Sequence, residues 1–225
     1  MKIRVVKNWN PLADTYQLTK QEIESQVLSD LTKYRQKYKE KYQKNAPSPI
    51  DVDNYVKELW DFNISFESIP QNSEDEETLG FLKPQIRQVI VDENCTNQKR
   101  ISFTIAHEAG HLSLHAPLFT TEDGLINGWK NSMPLKNKKK IETAEIRREW
   151  QANVYAGALL ASKLDIEALL RELGLLKDQM LVPFNLNDYF PKFDERFGLS
   201  RQALEIRLSH LNIPANNISS SNLKI

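Results

Sequence analysis

A five-residue motif, His-Glu-Ala-Gly-His at positions 107–111, constrains this chain more than any other feature of its sequence. Side chains four residues apart lie one turn apart on the same face of an α-helix, so His107 and His111 can bind one metal ion. Glu108 stands beside His107, where its carboxylate can take a proton from a water molecule at the metal. The spacing therefore predicts a hydrolytic metal site on a helix, with zinc as the metal that suits these ligands.

The sequence around the motif favours a metal helix set into a core over a chance match. An apolar segment typical of a β-strand, residues 86–91, precedes the motif. The run that contains the motif carries apolar residues that can bury one side of a helix: Phe103, Ile105, Ala109, Leu112 and Leu114. A chance match would leave histidines that are merely exposed or hydrogen-bonded. Three of the four histidines of the chain lie within residues 107–115, which favours a common site.

A tetrahedral zinc ion needs a third protein ligand in addition to two histidines and a water molecule. His115 is the nearest candidate in the sequence, but on a continuous helix it stands about 12 Å along the axis from His107. No glycine lies between His111 and His115 to break the helix. We therefore expect His115 to lie at the end of the helix or to contact a ligand, rather than to bind the metal.

Glu149 is the better candidate for the third ligand. It begins a helical face of mostly small residues, which lets two helix backbones approach closely. The other residues of this face are Ala152, Asn153, Ala156 and Leu160. Glu142 and Glu145 remain alternatives, and any one of these glutamates can instead belong to a solvated helix face. The pattern favours a His/His/Glu site between two helices.

Two supporting roles are less well defined by the sequence. Asn153 can hold the Glu149 carboxylate through a hydrogen bond, although a simple contact between helices explains it equally well. The group that stabilises the oxyanion of a tetrahedral intermediate is not assigned. His115, Arg147 and Tyr155 are unranked candidates for that role.

Taken together, these runs carry a family resemblance. Residues 100–115, followed by residues 149–153 and 156–160, resemble the ImmA/IrrE family of bacterial zinc peptidases. The resemblance covers residues 46–213. The H-E-x-x-H motif and the E-x-x-A-N motif together are far more specific than the first motif alone.

The resemblance implies both a site and a substrate class. It implies that His107, His111 and Glu149 bind a catalytic Zn²⁺ and that Glu108 is the general base. It also implies a protein substrate, because members of the family are associated with site-specific cleavage of helix-turn-helix repressors that control mobile elements or stress responses. The alternative is a non-catalytic, zinc-containing regulatory module or a DNA-binding module that acts through the C-terminal helices.

Composition describes an ordinary globular chain. With 225 residues, 40% of them hydrophobic, it can bury a substantial core. The formal net charge is zero, so we do not expect direct binding of nucleic acid or of an anionic membrane. The lone Cys95 cannot form an internal disulfide, and no run of residues is long and apolar enough for a signal peptide or a membrane span. These features predict a cytoplasmic protein and say nothing about its oligomeric state.

The predicted fold class is α+β and mostly helical, with a zincin-like active-site helix packed on a small three-stranded sheet. Three regions are expected: an N-terminal helical extension (1–45), a zinc peptidase core (46–175) and a C-terminal helical, helix-turn-helix-like region (176–225). The strands are expected within residues 63–69, 79–82 and 86–91, the last two joined by a turn at 83–85. We expect a free edge of this sheet to line the substrate cleft, where it can pair with an extended peptide.

Capping residues predict where several helices begin. Thr19 and Glu22 have the spacing of a capping box, which predicts a helix over residues 19–44 that packs through its tyrosines. A second helix is expected to begin at Ser48, followed by proline at its first position. Ser200 has the place of an N-cap between two helices within residues 193–211.

The sequence also suggests roles for the last predicted helix, for the segment 117–140 and for the C-terminal tail. Arg201 and Arg207 are the residues of the last predicted helix that could contact DNA, although packing and substrate docking are favoured for that helix. The lysine-rich segment 117–140 is either a surface insertion or a lid that recruits an acidic substrate. The tail from Asn216 onward is expected to fray.

Overall fold

The structure is a computed structural model that describes residues 9–10, 15–70, 78–115 and 144–216. It is mostly helical with a small mixed sheet, which confirms the predicted α+β class. The helices of the described ranges are α1 (Lys20–Tyr42), α2 (Val52–Trp60), α3 (Gln98–Leu114), α4 (Ala144–Leu160), α5 (Lys163–Glu172), α6 (Leu186–Phe197) and α7 (Arg201–His210). None of the helices in these ranges is both long and apolar enough to cross a bilayer.

The described strands are short and form one main sheet and three two-stranded pairs. They are β1 (Trp9–Asn10), β2 (Thr15–Tyr16), β3 (Asn63–Glu67), β4 (Gly80–Lys83), β5 (Gln88–Asp92), β6 (Leu176–Lys177), β7 (Met180–Leu181), β8 (Phe184–Asn185) and β9 (Ala215–Asn216). The main sheet has the order β3-β5-β4, with β3 parallel and β4 antiparallel to β5. Within the described ranges both β3 and β4 are therefore edge strands.

The main sheet lies directly against α3, the helix that carries the H-E-x-x-H motif. Gly80 makes this possible, because a Cβ atom at that position would come within 2.5 Å of Thr104 Cγ2 and 2.7 Å of the Ile90 carbonyl oxygen. The turn between β4 and β5 is the 3-10 helix Pro84–Ile86, which confirms the predicted hairpin. Arg87 closes that turn with a left-handed backbone, at φ 52°.

The N-terminal helix α1 is part of the central core. The Thr19–Glu22 capping box is present, as predicted: the Glu22 amide donates to Thr19 Oγ1 at 3.2 Å, and the Thr19 amide donates to the Glu22 carboxylate at 2.8 Å. The inner face of α1 joins one hydrophobic cluster with α3 and α4 through Ile23, Val27, Leu31 and Tyr34. The Tyr34 ring packs on the edge of Tyr55, with 5.2 Å between ring centroids, so the helix does pack through its tyrosines.

Two predicted helix starts were wrong. Asp51, not Ser48, caps α2, because its carboxylate accepts from the Asn54 amide at 3.2 Å. Ser48 instead donates to Asp165 at 3.0 Å, a contact across 117 residues that no local pattern reveals. In the C-terminal part, α6 begins at Leu186 rather than near residue 193, since Asn185 supplies its N-cap.

The other capping prediction in the C-terminal part is confirmed. Ser200 caps α7 by accepting from the Ala203 amide at 3.2 Å. Residues 215–216 pair with β8, so the chain is ordered one residue into the tail that was expected to fray. The predicted lid segment 117–140 and the rest of the tail lie outside the described residues.

Candidate metal centre

Helix α3 presents the two motif histidines at the centre of the molecule. It begins after Asn97, whose side chain accepts from the Lys99 amide at 3.0 Å and from the Arg100 amide at 3.3 Å. It runs without a break through the motif to Leu114, and His115 is its C-cap. His107 and His111 therefore lie one turn apart on one face, with 3.0 Å between their Nε2 atoms.

Helix α4 approaches α3 closely enough to add a carboxylate to this pair. At Gly110 a Cβ atom would lie 3.0 Å from the Ala152 Cα and 3.1 Å from the Tyr155 Cβ, so the two backbones touch with no space for a side chain. Ala152 and Ala156 are fully buried on the facing side of α4, as the small-residue pattern predicted. The contact brings Glu149, one turn before Ala152, opposite the histidines.

The three side chains converge on one point. Glu149 Oε2 lies 3.1 Å from His107 Nε2, and Glu149 Oε1 lies 3.4 Å from His111 Nε2. With zinc–nitrogen bonds of about 2.0–2.1 Å, neighbouring donors of a tetrahedron lie about 3.3–3.4 Å apart. The donor set and its spacing therefore fit a zinc ion, and these three residues form a group that could hold a metal.

Hydrogen bonds on the far side of each imidazole leave both Nε2 atoms as acceptors. His107 Nδ1 donates to Asn153 Oδ1 at 2.9 Å. His115 Nε2 donates to Gln151 Oε1 at 2.9 Å, because an amide oxygen can only accept. The unprotonated Nδ1 of His115 then accepts from His111 Nδ1 at 3.0 Å. In both motif histidines the proton is on Nδ1 and the Nε2 lone pair points to the centre.

This arrangement alters one of the supporting roles predicted from the sequence and confirms another. Asn153 holds His107 and not Glu149. His115 lies at the helix end and contacts a motif histidine, as expected. Gln151 is the residue that the sequence analysis missed. Its signal was a polar side chain on the otherwise apolar, fully buried side of α4, two residues after Glu149.

Burial and neighbouring groups set the ionisation states of the carboxylates and imidazoles at this site. Burial opposes ionisation of Glu149, but the imidazoles of His107 and His111 that face its carboxylate outweigh burial and hold the pKa of Glu149 well below its usual value. Burial likewise lowers the pKa of His107, while Glu149 and Glu108 more than compensate and raise it. Burial drives the pKa of His115 well below that of a free histidine. Glu149 is thus an anion and His115 a neutral imidazole.

Glu108 lies deep in the same site. Its side chain is buried, and burial raises the pKa of its carboxyl group, against the opposing influence of His111 and His107. A carboxylate with a raised pKa is a stronger base near neutral pH than an ordinary glutamate, so it can accept a proton and later return it. Because Glu108 is next to His107, its carboxylate can exchange a proton at the candidate metal centre.

Two of the three candidates for the oxyanion role are engaged elsewhere. Tyr155 is fully buried, where its hydroxyl donates to Asp30 at 3.0 Å and lies 2.8 Å from the Tyr55 hydroxyl. His115 is buried behind the centre, between His111 and Gln151. Arg147 is exposed and lies over the Trp150 ring, 4.9 Å from its centroid, which leaves it as the remaining candidate. The alternative third ligands fall outside the described side chains.

Comparison with known proteins assigns the chain to a family. A family described as Peptidase_M78, IrrE N-terminal-like domain, matches residues 61–209. The chain belongs to this peptidase family. The match includes β3, both helices of the candidate metal centre and α7, whereas α1 and α2 precede it.

Comparisons with solved structures and with curated proteins give less information about this chain. A Mycobacterium tuberculosis transcriptional regulator of solved structure is 16% identical, with a TM-score of 0.45, over 84% of this chain and 51% of that chain. This chain therefore spans about half the length of that regulator. No curated protein matches the chain at a significant level.

Proposed function

We propose that this protein is a zinc-dependent metallopeptidase that hydrolyses a peptide bond in a protein substrate. The observation that carries the proposal is the convergence of His107 Nε2, His111 Nε2 and one Glu149 carboxylate within 3.0–3.4 Å of one another. Membership of a peptidase family supports the reaction class. The open side of a three-ligand site is what distinguishes a catalytic zinc site from a structural one.

In the proposed mechanism, each residue has one task. His107 and His111 hold the ion through neutral Nε2 atoms, and Glu149 adds a negative charge as third ligand. A zinc ion held by these residues would supply Lewis-acid chemistry, which would polarise the scissile carbonyl group and acidify water. Glu108 takes a proton from the attacking water and later passes it to the nitrogen of the leaving amine.

The proposed substrate is a helix-turn-helix transcriptional repressor that controls a mobile element or a stress response, and the proposed location is the cytoplasm. The substrate follows from the resemblance to the ImmA/IrrE family, and the location follows from the composition described above. The repressor would be cut at a defined bond, so that its loss releases the genes under its control.

For the alternative function, a DNA-binding module, only one of the two candidate arginines is exposed. Arg207 is 1% exposed, donates to the Ala161 carbonyl oxygen at 2.7 Å and forms an ion pair with Glu24. Arg201 is paired with Glu205 at 3.0 Å. Phosphate contacts require exposed cations, and an arginine committed to the core cannot make them. We therefore favour packing as the role of α7.

Two substitutions test the assigned roles through different readouts. Glu108→Gln should reduce cleavage by about 10²–10⁴-fold, the usual contribution of a general base, and leave zinc bound. Glu149→Ala should release the zinc, because it removes a ligand. Zinc content is measured on the purified protein. Cleavage is measured by co-expression with any helix-turn-helix repressor that proves to be encoded beside this gene.

Glu40, an exposed residue of α1, provides the matched controls Glu40→Gln and Glu40→Ala, which should change neither readout. Zinc loss in Glu108→Gln together with zinc retention in Glu149→Ala would contradict the assigned roles. Cleavage that persists undiminished in Glu108→Gln would exclude Glu108 as the base.

A further inference from the structure

A cleft of about 400 Å³ lies between α3, α4 and α7. Most of its wall is apolar: Phe103 of α3, Trp150 and Val154 of α4, and Ala203 and Ile206 of α7 contribute to it. Its volume falls within the range of pockets that bind small ligands or side chains, roughly 300–1,000 Å³. The cleft can therefore accept a few side chains, but not a folded element.

The cleft lies next to the candidate metal centre. Asn153 lines the cleft, and the same side chain accepts the hydrogen bond from His107 Nδ1 at 2.9 Å. Phe103 and Thr104 of the wall precede His107 by one turn of α3, on the same helix face. Leu79, the residue before the edge strand β4, also lines the cleft. A peptide with its carbonyl group at the metal centre can therefore extend a neighbouring side chain into this space.

The charges around the cleft favour an uncharged occupant. None of the described lining residues is an aspartate or a glutamate. Lys99, Arg100 and Arg207 reach the wall, and two of these cations, Lys99 and Arg207, are paired with Asp194 and Glu24, which lie outside the lining. Burial and nearby cations lower the pKa of His210 to about 4, so its imidazole is neutral at pH 7. The wall thus offers no counter-ion to a basic side chain and a large apolar surface to an aromatic or aliphatic one.

We propose that this cleft binds a large apolar side chain of the protein substrate, next to the scissile bond, and thereby selects which bonds are cleaved. The inference rests on the proposed peptidase function and adds a specificity site to it. It predicts that a ligand anchored at the zinc ion gains affinity when it carries an apolar group that reaches the cleft.

Two hydroxamates serve as probes, because a hydroxamate chelates zinc. Acetohydroxamate carries only a methyl group, whereas a phenylpropanoyl hydroxamate carries a phenyl ring. Binding to the zinc-loaded full chain is measured by calorimetry. We expect the phenyl probe to bind at least about tenfold more tightly, as is typical when an apolar pocket is filled.

A large side chain introduced into the wall should fill the cleft and remove the preference for the phenyl probe. At Gly157 an added Cβ would meet Arg207 Cδ at 3.7 Å, an ordinary contact, so the helix can carry a side chain there. Gly157→Phe should reduce the ratio of the two affinities by about tenfold. Ala203→Phe fills the cleft from the opposite wall and gives a second variant if the first does not fold. Leu164→Phe, which adds the same ring at an exposed position of α5, is the control and should keep the wild-type ratio.

The outcomes separate the inference from the proposed function. An unchanged ratio in folded Gly157→Phe and Ala203→Phe overturns the inference, and so does a wild-type protein that binds both probes equally. A zinc-loaded wild-type protein that binds neither probe has no open metal site, and this result contradicts the peptidase function itself. Zinc content and circular dichroism are measured on every variant, so that loss of metal or of fold is recognised.

Discussion

His115 contributes to the metal centre without being one of its ligands. It lies between Gln151 and His111, and all three residues are buried, so these hydrogen bonds are shielded from bulk solvent. The Gln151 amide oxygen fixes the proton of His115 on Nε2, and this in turn fixes the proton of His111 on Nδ1. A partner that sets the tautomer of a ligand histidine raises its basicity and orients its ring. This relay of hydrogen bonds, from Gln151 through His115 to His111, starts two residues after the third ligand, Glu149, on the same helix.

Gln151→Leu should weaken zinc binding, because it leaves the Nε2–H group of His115 buried without this acceptor. Loss of such an outer partner typically lowers metal affinity by about 10–100-fold. Affinity is measured by competition with a chromophoric chelator. Gln36→Leu, the same change at an exposed position of α1, should bind zinc like the wild type. Wild-type affinity in Gln151→Leu would show that the relay does not act on His111.

Helix α1 connects the elements that form the site, although it precedes the matched family region. Its Asp30 is 3% exposed and accepts from Ser113 of α3 at 2.5 Å and from Tyr155 of α4 at 3.0 Å. One turn and a half earlier, Glu24 forms the ion pair with Arg207 of α7. A single helix thus binds both metal-site helices and the helix that forms one wall of the cleft.

Asp30→Ala should lower the free energy of unfolding by about 2–4 kcal/mol, because hydrogen bonds to a buried charged group are lost and two hydroxyl groups lose their acceptor. Asp30→Asn should cost less, since its amide oxygen still accepts one of these bonds. Stability is measured by urea unfolding of the metal-free protein, with Glu40→Ala as the exposed control on the same helix. Equal stability of Asp30→Ala and the wild type would contradict this role for α1.

Sequence patterns among neighbouring residues predicted most of the helices and strands. They could not predict contacts between residues that are far apart in the sequence. The capping box at Thr19, the cap at Ser200 and the metal helix follow from residues within one turn of each other. The small-residue face of α4 predicted the approach to α3 because close helix packing excludes larger side chains. By contrast, the partners of Ser48 and Asp30 lie more than one hundred residues or several elements away, so sequence spacing carried no information about them.

At the scale of the whole molecule, the described residues share one hydrophobic core. It includes Ile23 of α1, Ile105 of α3, Leu159 of α4 and Leu208 of α7, all nearly inaccessible to solvent. The division into an N-terminal extension, a peptidase core and a C-terminal region stays a prediction. The packing of α1 in this core bears on whether the N-terminal extension can be removed without unfolding the peptidase core.

A chain that begins at residue 46 should fail to fold. It lacks the buried side chains of α1, each of which contributes roughly 1.5–3 kcal/mol, and their sum approaches the 5–15 kcal/mol of a typical domain. Circular dichroism and thermal unfolding of the fragment test this expectation. A chain that begins at residue 17, where α1 and its cap are intact, is the control and should unfold cooperatively. A folded, zinc-binding fragment from residue 46 would make α1 a dispensable appendage.

The contact between Gly110 and Ala152 determines how far apart the two metal-site helices lie, and neither residue has a side chain that can coordinate an ion. A larger residue at either position would push α4 away and carry the Glu149 carboxylate out of range of the imidazoles. A related chain that keeps all three donors but enlarges one of these positions would therefore need another helix spacing, or lose its metal. The requirement for a minimal side chain at these two positions restricts substitution as strictly as metal binding restricts the ligands.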